Sequence, residues 1–82
     1  MNSNKLTETL EYLGSEYSIE YILNEACIYR KSNDLDVEVS GLDNRKKDYD
    51  ATLYIWKNGK CVKTIQDIHS KEELLKHLET VF

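Results

Sequence analysis

Two histidines, two cysteines and fifteen carboxylates are the side chains here with obvious chemistry to offer. His69 and His77 stand eight positions apart, a spacing that shares no helix face and matches no metal-ligand pattern. Cys27 and Cys61 form no C-x-x-C pair, and each sits in an apolar-flanked stretch. Both are therefore expected as free, reduced, buried thiols acting as small hydrophobes. The glycines at 14, 41 and 59 are too far apart to build a phosphate-cradling loop. Asp34, Asp36 and Glu38 alternate, but strand alternation gives Asp36 and Glu38 one common face with no turn glycine between them. A calcium loop needs that glycine turn. No Ser, His and acid set can be assigned, because such triads are brought together in space rather than by spacing. The sequence thus predicts no catalytic residues, no metal, no cofactor and no enzyme activity. A domain this small rarely encloses the roughly 300 Å³ that a substrate pocket needs.

The elements that position these side chains follow from local pattern. Leu6, Leu10 and Leu13 recur at helical spacing over Lys5–Leu13, with Ser3 as cap and Gly14 as stop. The stretch 16–31 carries two signals. Ser15 can cap a helix bearing Ile19, Ile22, Leu23 and Ala26, whereas three tyrosines and three isoleucines favour a strand. The reading adopted is a helix over about 16–24 and then a strand over Ala26–Lys31. Ser32-Asn33-Asp34 is turn chemistry, and Leu35–Gly41 alternates as a strand with Val37 and Val39 inward. A polar loop spans 43–50. Ala51–Lys57 and Lys60–Gln66 flank Asn58-Gly59, a strong type I′ hairpin signal. Ser70-Lys71-Glu72-Glu73 is a capping box, opening a C-terminal helix over 70–82 with Leu74, Leu75, Leu78, Val81 and Phe82 at helical spacing.

A single α+β domain over 1–82 follows: an antiparallel sheet of about four strands, packed on one face by two or three helices. The two-residue turn sets Trp56 opposite Cys61, Ile55 opposite Val62 and Tyr54 opposite Lys63. Leu53, Ile55 and Val62 then join Val37 and Val39 on the core side. Tyr54, Trp56, Cys61, Lys63 and Ile65 take the opposite face, beside Asp36 and Glu38.

Composition bounds the remaining choices. The 82 residues are 32% charged and 40% hydrophobic, without proline, as in a globular domain. No apolar run approaches the roughly 18 residues of a membrane span, and no signal-peptide core follows Lys5, so a cytoplasmic protein is expected. Residues 1–44 hold nine acids against three bases; residues 45–82 hold eight bases against six acids. The overall charge of −4 disfavours a nucleic-acid binder, which draws most affinity from phosphate neutralisation. Lysine over arginine, with frequent asparagine and isoleucine, matches an AT-rich bacterial or phage genome.

Two functions compete. The first is a small acidic protein-interaction domain, an inhibitor or accessory factor of the kind mobile elements carry. It would dock on a larger protein through an open sheet face bearing Tyr54, Trp56, Lys63, Asp36 and Glu38, since aromatic residues among polar groups are enriched at binding hot spots. The same face would also suit a homodimer. The second is a nucleic-acid-binding domain with the element order of double-stranded-RNA-binding domains, using Lys57, Lys60 and Lys63 on the hairpin. The acidic start of the last helix, Glu72-Glu73, would repel phosphate there. The first reading is preferred.

Overall fold

The computed structural model describes residues 4–82. Its order is α1 (Asn4–Leu13), β1 (Ser18–Ile22), β2 (Glu25–Lys31), β3 (Leu35–Ser40), β4 (Ala51–Lys57), β5 (Lys60–Ile68) and α2 (Lys71–Glu79). The five strands form one antiparallel meander in the order β1-β2-β3-β4-β5. This is the expected α+β class, with five strands and two helices rather than about four strands and two or three helices. The expected Ser3 cap lies outside the described residues.

The extra strand comes from the stretch expected as a helix over 16–24. Ser18–Ile22 is strand, and it pairs with Glu25–Lys31 so that Ile19 meets Ile28 and Tyr21 meets Ala26. The connection is a two-residue turn at Leu23-Asn24, with φ of 51° and 68° as type I′ geometry demands. Pairing Ile19 with the fully buried Ile28 satisfies backbone and side chain together. A helix here would have left the edge of β2 unpaired.

The core lies between the sheet and the helices. Ala26, Ile28, Val37, Val39, Ala51, Leu53, Ile55 and Ile68 supply the sheet side. Leu6 of α1 and Leu74 and Leu78 of α2 close over them. Thr9 is also fully buried, and its hydroxyl is paired with the Tyr49 hydroxyl at 2.8 Å. That bond removes the cost of a dry polar group.

β5 departs from the expected register. Trp56 does face Cys61, but Ile55 pairs with Lys63, Tyr54 with Thr64 and Leu53 with Ile65. A bulge at Val62 inserts one extra residue, so the positions from Lys63 to Ile65 change face. Val62 is consequently 56% exposed rather than core, and Ile65 packs against the core. Lys63 moves off the Tyr54 face. A second irregularity follows near Asp67, whose φ is +61°.

The capping box forms with a one-residue extension. Ser70 Oγ accepts from Glu73 N–H at 3.0 Å, while Glu73 Oε1 accepts from the His69 backbone N–H at 2.9 Å. The helix stops at Glu79 instead of running to 82. Thr80 donates its hydroxyl to the His77 carbonyl at 2.7 Å, and the Val81 and Phe82 amides both turn back to the Leu78 carbonyl. The chain end then brings Phe82 over the Arg30 guanidinium, 3.9 Å from its ring centre.

Leu74 is fully buried whereas its neighbour Leu75 is only half-buried. Leu74→Ala is expected to cost about 2–5 kcal/mol and Leu75→Ala clearly less. Urea denaturation of both variants checks this; an equal or reversed order would contradict the helix packing.

Candidate functional site

Both helices lie on the same face of the sheet, so alternate strand residues project from the other. Cross-strand pairing arranges them in rows. Tyr29 meets Glu38, Glu38 meets Tyr54, and Tyr54 meets Thr64. One row on, Lys31 meets Asp36, Asp36 meets Trp56, and Trp56 meets Cys61. Neighbours in such rows are close enough for aromatic rings and carboxylates to touch. Asp36, Glu38, Tyr54 and Trp56 therefore share one face, half-buried by one another.

The hydrogen bonds of this face are local. The Tyr29 hydroxyl donates to Asp36 Oδ2 at 3.0 Å. Burial, that bond and the nearby carboxylates push the Tyr29 phenol up to about 12, so it stays protonated. Cys27 lies beneath the polar layer and is 1% exposed. Burial pushes its thiol up to about 11, with Glu25, Glu38 and Asp43 adding their repulsion. A thiol so placed is a poor nucleophile at neutral pH. Cys61, expected as buried, is exposed; its sulfur lies 3.5 Å from the Thr64 hydroxyl.

Glu38 sits at the centre of the face. Burial raises its carboxyl above the ordinary value, the Trp56 indole N–H eases that cost, and Glu25 adds to it. The Trp56 N–H is itself sealed from water and closes no hydrogen bond of normal geometry. Its polar neighbour on this face is the Glu38 carboxylate, whose pKa it lowers. It is an unusual group, since nearly all buried donors in folded proteins are paired.

At the turn end of the face, a cavity of about 290 Å³ is lined by Tyr29, Asp34, Asp36, Trp56, Asn58 and Gly59, among others. Two aromatic rings and two carboxylates converge on it. Such a setting suits a cationic group, which gains from both the ring faces and the opposite charge.

The lysines stand apart from this face. Lys57 pairs with Lys60 beside the turn and Lys63 pairs with Ile55 in the next row, so the three share the side that carries Ile55, away from Tyr54 and Trp56. Tyr29 was not singled out from the sequence; its place depends on the β2–β3 register, closed by Ser32 N–H donating to the Leu35 carbonyl at 2.8 Å. The turn residues Ser32-Asn33-Asp34 were the signal available for it.

No family model, curated protein or solved structure matches this chain, so the reading of its site rests on geometry. No helix among the described residues is long and apolar enough to cross a membrane.

Because folding raises the Glu38 pKa, the folded state binds that proton more tightly than the unfolded one. The stabilising contribution is complete below the unfolded carboxyl range and is lost as pH rises through the folded value. Glu38→Gln is expected to raise the denaturation midpoint at neutral pH and to lose that advantage near pH 3. Midpoints unchanged at both pH values would contradict a desolvated carboxylate.

Proposed function

We propose that this chain is a small non-enzymatic interaction module, an inhibitor or accessory factor, that docks on a larger protein through its uncovered sheet face. The observation carrying this reading is the cluster of Tyr29, Tyr54 and Trp56 around Asp36 and Glu38, on the side that neither helix covers. Burying an indole N–H without a partner costs about 1–3 kcal/mol. Trp56 carries a buried N–H relieved only by the Glu38 carboxylate beside it, a local imperfection expected where a side chain serves binding rather than folding.

The chemistry of the face defines the partner. Carboxylates beside aromatic rings favour arginine or lysine side chains, so the surface recognised is basic. The cavity beside Trp56 offers one such side chain a place to insert. Nucleic acid is a weaker fit to this face, because Asp36 and Glu38 repel phosphate and Lys57, Lys60 and Lys63 belong to the opposite side of the sheet. A second copy of the chain would set like charges against each other on this face.

The test is capture of a partner from the cell of origin, with and without nuclease, by wild type and by a Tyr54→Ala/Trp56→Ala variant. Circular dichroism establishes that the variant is folded. A folded Asp36→Lys/Glu38→Lys variant probes the charges separately. The expected result is nuclease-resistant capture that both variants weaken, the aromatic pair by about 30-fold or more. Capture that nuclease abolishes would replace this reading with nucleic-acid binding. Undiminished capture by both variants would place the contact elsewhere.

A further inference from the structure

We propose that Asp50, Asp67 and His69 form a binding site for a first-row divalent metal ion, with zinc the best match. One ligand atom from each residue lies within 4.8 Å of the other two. The strand register brings them together. Ala51 pairs with Ile68 as the last rung of the β4–β5 ladder, and Asp50 and His69 are the residues just beyond it on either side. Asp67 joins them from the irregular end of β5, where its backbone adopts φ +61°.

Fold stability does not account for the cluster. Among the described residues, neither carboxylate takes part in a hydrogen bond or ion pair, and the His69 imidazole makes none either. The one His69 bond uses its backbone N–H, which donates to Glu73. Two carboxylates so close repel each other, and a bound cation reverses the sign of that interaction.

The donor set is selective. An imidazole nitrogen with two carboxylate oxygens suits zinc and its first-row neighbours, whereas calcium and magnesium prefer oxygen alone. Ligands around zinc sit about 2.0–2.2 Å from the ion, so the set must draw together slightly. All three side chains are exposed and can rotate to do so. A cavity of about 410 Å³ bordered by Asp48, Tyr49, Asp50 and His69 leaves room for water or another ligand on the open side. An ion there would clip the start of β4 to the end of β5, beside the Ser70 cap of α2. The site is at the opposite end of the β4–β5 hairpin from Asn58-Gly59, and it does not depend on the binding face.

Calorimetric titration of the full chain with zinc chloride tests the site, with cobalt(II) absorption reporting the ligand set. Asp67→Asn and His69→Gln remove one ligand each; asparagine tolerates the positive φ, so the first variant keeps its backbone. His77→Gln and Cys61→Ser are controls. Expected are one equivalent bound by wild type, a thermal midpoint raised by about 5–10 °C at tenfold excess over Kd, and affinity lost at least tenfold in both ligand variants. The controls should bind as wild type does. Absence of saturable binding up to roughly 1 mM zinc would overturn the proposal. So would binding that survives both ligand variants, or that falls with either control.

Discussion

The structure turns on a shortage of cover. Five strands alternate their side chains between two faces, yet among the described residues there are only two helices, of ten and nine residues. Both are spent on one side. That side becomes a dry core of aliphatic residues, and the other must satisfy itself with water and its own polar groups. Every feature of the candidate site follows: a tyrosine hydrogen-bonded to a carboxylate, a thiol sealed beneath, and one indole caught between burial and exposure.

The same economy explains how the sheet is held at its edges. Where β2 and β3 diverge, side chains continue the ladder. The Gly41 amide donates to Glu25 Oε2 at 2.7 Å and the Ala26 amide donates to Asp43 Oδ2 at 2.8 Å. The loop between β3 and β4 is then tied to α1, as Lys5 donates to Asn44 Oδ1 at 2.6 Å and to the Asp48 carbonyl at 2.9 Å. On the far side Arg30 lies between Tyr17 and Phe82, 5.3 and 3.9 Å from their ring centres, and also meets Glu16 at 3.5 Å. These contacts fasten both chain ends to the sheet. The meander is thereby cross-linked by side chains as well as by its backbone ladders.

Much of this was legible because it is local. Asn58-Gly59 and Ser70 to Glu73 carry their geometry in adjacent residues, and the hairpin and α2 appear where those signals stand. Val37 and Val39 face inward as their alternation demands. The failures are non-local or atypical. Leucine is a rare choice at positive φ, so Leu23-Asn24 does not read as a turn, and 18–22 resembles a helix until its partner strand is known. Cys61-Val62-Lys63 looks like regular alternation; nothing in those residue types marks the bulge that removes Lys63 from the face and exposes Val62. Trp56, expected on an open face, is half-buried there, because neighbouring side chains on its own face cover it. Asp36, Glu38, Tyr54 and Trp56 are set together by pairing across β3 and β4, where alternation alone sufficed.

The central claim is that the uncovered face is where another protein meets this one. Photocrosslinking in the cell of origin tests it directly, with a benzophenone amino acid replacing Tyr54 on that face or Tyr12 on α1. Tyr12 is a fair comparison, since it is 41% exposed and lies on the helical side against Lys71. The account predicts a discrete protein adduct from position 54 and none from position 12. An adduct from position 12 alone would contradict it and place the contact on the helices.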